Sequence, residues 1–325
     1  DANATQHVVI VGGGFAGLHA ARRLGKAGYR VTLLDKRNFQ LFQPLLYQVA
    51  TGALTVGDIA YPQRSLLRRL KNVRTLNATA YDVDPKARIV FHEHGELHYD
   101  VLVVATGVKH NYFGHDEWRA FAPGLKTAEH AIEIRRRIFR AFELAEVSED
   151  PVKRAELLTF AVVGGGPTGV ELAGAIGELA HKTLINDFRN VDSRDAQVLL
   201  IEAGSEILPA YPAKLRAKAR GHLKALGVTV HEGAMVEHID GECLRVKRGE
   251  ARETLRCGTV LWAAGVRPSL FGEVLAERTQ APRDRGGRIL VSPDCSLPDW
   301  PEIFVAGDLA ALTDIRGVAV PGLAP

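Results

Sequence analysis

Two stretches of this chain, HVVIVGGGFAGLHAARRL (7–24) and FAVVGGGPTGVELAGAIGEL (160–179), carry the same glycine spacing. Gly12, Gly14 and Gly17 spell G-x-G-x-x-G in the first, and Gly164, Gly166 and Gly169 spell it in the second. In such a set the first glycine permits a tight turn and the second lets a pyrophosphate approach the backbone. The third lets the helix pack on the strand, and the free N–H groups at the helix start face the anion. Each set is followed by a strand ending in an acid, Asp35 and Glu202. A carboxylate there accepts from ribose hydroxyls and repels a 2′-phosphate, so Glu202 favours NAD over NADP. A tight turn without a ligand is the plainer reading of either set, and strand, helix and acid together argue against it. Two dinucleotides on one chain suit passage of a hydride from one that exchanges to one that stays. A flavin is the natural resident partner for a nicotinamide.

These residues need strands and helices to present them. HVVIVGGG is an apolar, β-branched run that reads as a buried parallel strand. FAGLHAARRLGKAG follows with helical spacing and stops at Gly28, and YRVTLLDKRN supplies the next strand. The result is a βαβ unit with a right-handed crossover. Residues 59–76, with Arg64, Arg68, Arg69, Lys71 and Arg74, read as a basic helix. YDVLVVATGVKH reads as another buried strand, and 127–147 as a long amphipathic helix followed by a charged linker at 148–153. A second βαβ unit opens at Leu158, its helix extended by the insertion HKTLINDFRNVDSRDA before the strand QVLLIEAG. After GTVLWAAGVRP, the stretch GGRILVSPDCSLPDWPEIFVAGDLAAL returns to the style of the first unit. The expected fold class is therefore α/β, with two Rossmann-like dinucleotide-binding domains, the NAD domain inserted into the FAD domain. Residues 1–120 and 285–325 form the FAD domain, and 121–284, including the connecting helix, form the NADH domain.

At 325 residues the chain is long enough for two domains with cores of their own. A net charge of +3 forces no nucleic-acid reading, and no nucleic-acid partner is expected. Cys243, Cys257 and Cys295 are odd in number and form no CxxC or CxxxxC pair, which argues against a disulfide framework and for a reducing compartment. No signal peptide is visible, and no apolar run approaches the roughly 18 residues that a membrane span needs. No metal site is expected. The start at Asp1 and the end at VAVPGLAP read as cuts in a longer chain.

ATG at 105–107, WAAGVRP at 262–268 and IFVAGDLA at 303–310 resemble motifs of the two-dinucleotide-binding-domain flavoproteins. Disulfide reductases of that fold carry CxxxxC after the first βαβ unit, and the thioredoxin-reductase branch carries CxxC in its NAD(P) domain. Neither is present, and no cysteine here sits in the flavin-side motif that sulfide:quinone oxidoreductases need. FQPLLYQVATG (42–52) and GVELAGAIGEL (169–179) instead resemble type II NADH dehydrogenase, the single-subunit NADH:quinone oxidoreductase, over 7–325.

The resemblance implies that FAD is held by Gly12, Gly14, Phe15, Ala16, Gly17, Asp35, Lys36, Pro44, Leu45, Thr51, Gly52, Ala105, Thr106, Gly107, Gly307 and Asp308. It implies that NADH is held by Gly164, Gly166, Pro167, Thr168, Gly169, Glu171, Glu202, Ala264 and Gly265. Asp308 would hold the ribityl chain of FAD; a turn or N-cap aspartate is the plainer reading. Thr51 and Gly52 are expected against the isoalloxazine, the glycine by close approach and the hydroxyl by hydrogen bonding, whereas Pro44 and Leu45 also read as core. Glu171 stands in the first turn of the second glycine-turn helix, where a carboxylate suits the dipole. In the family, a glutamate at this motif position lies near the flavin and is implicated in proton or charge coupling to the quinone. Glu171 and Thr51 are thus the catalytic candidates.

The resemblance implies hydride transfer from NADH to FAD and delivery of two electrons to a membrane quinone, without proton pumping. Family members meet the cytoplasmic side of the cell membrane as peripheral proteins, through a C-terminal region that this stretch of chain lacks. The stretch itself is expected to be soluble, and a homodimer stays open. The arginines of 59–76 and Arg135 to Arg137 read most simply as solvated faces, with attraction to an anionic membrane as the sharper alternative. Two rival functions share the same motifs. One is a soluble NADH-dependent flavoprotein reductase serving an iron–sulfur protein or a dye; the other is a sensor that binds FAD and NADH without turnover.

Overall fold

The computed structural model describes residues 6–241, 243–314, 316–318 and 320. They fall into two compact units. The first holds the described residues up to Leu41, Ala60–Lys109 and those from Val266 onward; the second holds Phe42–Ile59 and His110–Gly265.

In the first unit, strand His7–Val11 lies between Arg30–Asp35 and Val101–Val104, parallel to both. Val73–Asn77 and Trp300–Val305 extend the parallel sheet on either side, and Ser296–Leu297 closes it antiparallel. Both faces are covered, so successive residues of the central strand all find apolar company. Val8 and Ile10 pack with Leu18, Ala21, Val31 and Leu33, while Val9 and Val11 pack with Leu102, Val104, Ile303 and Val305.

The second unit repeats the plan. Thr159–Val163 lies between Gln197–Ile201 and Thr259–Trp262, with Val228–His231 outermost, all parallel. Its glycine-turn helix runs Pro167–Glu178 and passes into a π-turn over Leu179–Thr183, where the sequence suggested a longer helix with an insertion. Helix Ala128–Val147 forms as expected, capped by Thr127. The short helix Leu46–Ala50 packs against it within the same unit.

Two readings of the sequence fail. Residues 59–76 are not one helix. Ala60–Pro62 pairs with Phe39–Leu41, only Gln63–Leu67 is helical, and Val73–Asn77 is a strand beside Arg30–Asp35. Asn72 breaks the stretch by donating to the carbonyls of Gly25 and Tyr29, both at 2.8 Å. The β-branched Val73 and Thr75 then gain more from the sheet than the basic residues gain from a helix. The charged linker at 148–153 is likewise structured. Asp150 accepts from the N–H of Val152 and caps helix Pro151–Leu157, with proline at its first position.

Candidate functional site

Each unit presents its glycine turn at the carboxyl end of its central strand, where open α/β sheets bind ligands. In the first unit, Gly12 has φ +103° and lies against Ala105, so any side chain there would run into the backbone that follows strand Val101–Val104. A Cβ on Gly17 would collide with the carbonyl of Gly12. A Cβ on Gly14 would meet nothing within 4 Å. The second glycine therefore opens onto free space while the first and third are closed by packing, the division of labour that a pyrophosphate requires. The second unit matches. Gly164 (φ +113°) lies 2.6 Å from Ala264 N by its notional Cβ, Gly169 would strike the Gly164 carbonyl, and Gly166 is open. Neither Gly14 nor Gly166 supplies a side-chain cap to its helix.

The acids sit where the sequence puts them, each locked to its own turn. The N–H of Gly13 donates to Asp35 Oδ2, and the N–H of Arg37 to Asp35 Oδ1 at 2.7 Å. The N–H of Gly165 donates to Glu202 Oε2 at 2.5 Å, and the N–H of Gly204 to Oε1 at 2.6 Å. A carboxylate can accept further bonds, so ribose hydroxyls could share it. Lys36 is exposed, and Phe15, Ala16, Pro167 and Thr168 form the first turns of the two helices.

The other motifs of the first unit gather by contacts that sequence reasoning missed. Thr106 Oγ1 lies 2.6 Å from Ser269 Oγ, and the Ser269 N–H donates to Gly107 O. Ser269 also caps helix Leu270–Thr279, a serine-before-helix signal that was legible in the sequence. Gln63 is fully buried. Its Nε2 donates to Gly13 O at 3.3 Å and Phe39 O at 3.4 Å, and its Oε1 has no partner. No local pattern announced it. Gly307 (φ +74°) and Asp308 form the short 3-10 turn Gly307–Leu309, with Ala16 against Gly307.

The flavin-side segment 42–52 groups with the second unit. Pro44 is exposed and Leu45 half-buried, so neither is core. Thr51 is buried, and its hydroxyl donates to Tyr47 O at 3.0 Å, so its one proton serves the end of helix Leu46–Ala50. Gly52 has φ +84°, and a Cβ there would press on Phe139 at 3.2 Å. Glu171 lies past the first turn of helix Pro167–Glu178, not within it as the sequence suggested, and is solvent-exposed, with no hydrogen-bond or ion-pair partner among the described residues. Partial desolvation by the surrounding protein nevertheless raises its carboxyl above the ordinary glutamate range.

The patch at Arg135 to Arg137 is less available than the sequence suggested, whereas Arg64, Arg68, Arg69, Lys71 and Arg74 are exposed. Arg136 and Arg137 both bond Glu133, and Arg137 also donates to the carbonyls of Phe121 and Ala120. Arg135 lies over the Phe139 ring. The three cysteines are free thiols, and burial pushes Cys257 up to about 12, far from a reactive thiolate. Among the described residues no helix is long and apolar enough to cross a membrane.

Two glycine turns, each closed by an acid from the next strand, define a protein built to hold two dinucleotides. The sequence pattern of the pyridine nucleotide-disulphide oxidoreductases matches residues 6–324. The chain is 45% identical over 317 residues to type II NADH:quinone oxidoreductase Ndh of Mycobacterium tuberculosis, covering 96% of this chain and 68% of that one. It is 30% identical over 308 residues to the type II NADH:quinone oxidoreductase of Staphylococcus haemolyticus, covering 94% and 74%. In fold it resembles NDH2 of Plasmodium falciparum, solved in complex with NADH, with a TM-score of 0.85 at 22% identity. That match covers 94% of this chain and 64% of the Plasmodium chain. The chain belongs to the pyridine nucleotide-disulphide oxidoreductase family and, within it, to the type II NADH:quinone oxidoreductases. Flavin is the characteristic cofactor of that family.

Proposed function

We infer that this chain carries the nucleotide chemistry of an NADH:quinone oxidoreductase. The first unit holds FAD and the second NADH; the units depart from the expected domains at 1–120 with 285–325 and at 121–284, because 42–59 and 110–120 group with the second unit and 266–284 with the first. The observation that carries the reading is the repeated turn: an open second glycine, a closed third and an acid bonded to the turn, once in each unit.

FAD, when bound, accepts hydride and passes two electrons onward. The residues of the chain do the placing. Gly14 and Gly166 leave room for a pyrophosphate, and Asp35 and Glu202 take ribose hydroxyls. Ala105, Thr106, Gly107, Gly307 and Asp308 complete the FAD side, and Ala264 and Gly265 the NADH side. Thr51, with its proton committed to Tyr47, keeps lone pairs with which to accept a hydrogen bond. Glu171 has no competing partner and holds a proton to higher pH than an ordinary glutamate, which suits proton delivery during quinone reduction. Attachment to the cytoplasmic side of a membrane as a peripheral protein, and pairing as a homodimer, belong to this reading.

The test is anaerobic titration of the yellow protein with NADH or NADPH, followed at about 450 nm, where an oxidised flavin absorbs. Rapid bleaching by NADH alone supports the reading. A flavin that stays oxidised under excess NADH makes the protein a binder without turnover and overturns it.

A further inference from the structure

Phe113 is an aromatic residue in a position that disfavours one. The N–H of His115 donates to Tyr112 O at 3.0 Å, closing a turn whose two central residues, Phe113 (φ +53°) and Gly114 (φ +94°), both have positive φ. Such turns select glycine, asparagine or aspartate, and a bulky side chain there is strained. Nor is the strain repaid by burial. Its chain neighbour Tyr112 is buried, as is Trp262, whose ring centroid lies 6.4 Å from that of Phe113, yet Phe113 is 62% exposed. The turn is held firmly all the same. The Phe113 N–H donates to Asn111 Oδ1 at 2.9 Å, the Trp262 indole donates to Asn111 O at 3.0 Å, and the Asn111 N–H donates to Gly265 O. Strain that the surroundings hold in place is a pointer to function.

The place of Phe113 says which function. In this sheet, strands Gln197–Ile201 and Thr259–Trp262 flank the central Thr159–Val163 on opposite sides. Glu202 ends the first flank and takes the adenosine ribose of the dinucleotide. The pyrophosphate then sits over the glycine turn, so the other half of the molecule must run over the end of the opposite flank. That end is Ala263 to Gly265, with Ala264 against Gly164 and the Phe113 ring lying directly on Gly265. We propose that Phe113 is a positioning residue for NADH, an exposed aromatic face on which the nicotinamide end of the substrate packs. This rests on the second unit being the NADH unit. A planar, weakly polar ring fits an aromatic face, and a preset turn spares the ordering cost of placing it.

The test uses the FAD-loaded protein and two unreactive ligands, NAD+ and ADP-ribose, which lacks only the nicotinamide. Affinities are measured for the wild type, Phe113→Leu, Phe113→Gly and Phe113→Trp. The glycine variant suits the positive φ and is expected to melt no lower than the wild type, so it remains informative if the leucine variant folds poorly. Leucine and glycine are expected to weaken NAD+ by roughly 3- to 10-fold and to leave ADP-ribose within about 2-fold, while tryptophan restores NAD+ binding. Unchanged NAD+ affinity in both variants, or equal loss of the two ligands, overturns the proposal. A wild type that binds neither ligand overturns the NADH reading beneath it.

Discussion

The N–H of Gly165 donates to the Glu202 carboxylate at 2.5 Å, across 37 residues of chain. The acid proposed to select the nucleotide therefore also fixes the turn proposed to receive its phosphates. Asp35 does the same for Gly13 in the other unit. Glu202→Gln keeps the shape but replaces a charge-assisted acceptor with a weaker one and can accept through only one oxygen. A loss of about 1–3 kcal/mol from the turn is expected. Discrimination of NADH over NADPH should fall roughly tenfold, because the repulsion of a 2′-phosphate disappears. Steady-state kcat/KM for the two nucleotides checks this, and an unchanged ratio would show that Glu202 is not the selector.

The glycines of one turn are predicted to fail in different ways. Gly17→Ala drives a methyl into the Gly12 carbonyl and should cost about 3 kcal/mol or more, lowering the melting temperature even of cofactor-free protein. Gly14→Ala meets open space at φ −71°, an angle alanine adopts freely, so the cofactor-free protein should melt within about 0.5 kcal/mol of wild type. Its methyl instead occupies the approach of the pyrophosphate, and FAD content per chain should collapse. Melting curves and flavin absorbance on the same samples separate the two effects; equal destabilisation by both would refute the assignment of the open side.

Glu171 should matter to the second half of the reaction and not to the first. Desolvation raises its carboxyl, so the folded protein binds this proton more tightly than the unfolded chain does. Its contribution to stability is complete below the unfolded value of 4.5 and lost as pH rises through the folded one. Glu171→Gln removes the penalised charge, so the variant should be at least as stable as wild type at neutral pH. Flavin bleaching by NADH should persist, while turnover with a quinone slows about tenfold through loss of a general acid. Stopped-flow and steady-state rates on one preparation decide it. A variant impaired in bleaching places Glu171 on the NADH side instead.

What the sequence revealed and what it hid have a physical pattern. The turns were legible because glycine, strand and acid lie within one βαβ unit, where local spacing is spatial arrangement. Thr51 and Gly52 were legible as a motif but not in detail: Gly52 ends a helix against Phe139, and the Thr51 proton goes to Tyr47. Gln63 and Phe113 were invisible because their meaning lies in partners distant in sequence, Gly13 for one and Gly265 for the other. The strand Val73–Asn77 was hidden differently. Its neighbours Arg68, Arg69 and Lys71 suggested a charged helical face, while the pairing that makes it a strand is supplied by residues 30–35.

The last prediction concerns acid. His110 stacks beneath Gly124 and beside His130, and burial, with His130, Lys126 and Arg119 nearby, lowers its imidazolium to about 4. Burial likewise lowers His7, His92 and His231. Each is neutral in the folded protein where the unfolded chain, near 6.5, would already be charged, so the unfolded state binds more protons between the two values. Stability is therefore fully present above pH 6.5 and lost as pH falls from there toward 4. The carboxylate of Glu133, which Arg136 and Arg137 hold down at about 2, adds its loss only below the ordinary glutamate range, so the fall in stability between 6.5 and about 4.5 belongs to the histidines, with the raised Glu171 carboxyl opposing it as pH drops toward 4.5. His110 alone should contribute about 1–3 kcal/mol of that slope. Urea midpoints at pH 7.5, 6.0 and 5.0 should fall steadily for wild type. They should fall less for His110→Phe, which cannot titrate, and identical slopes would mean that the ring is already solvated at neutral pH.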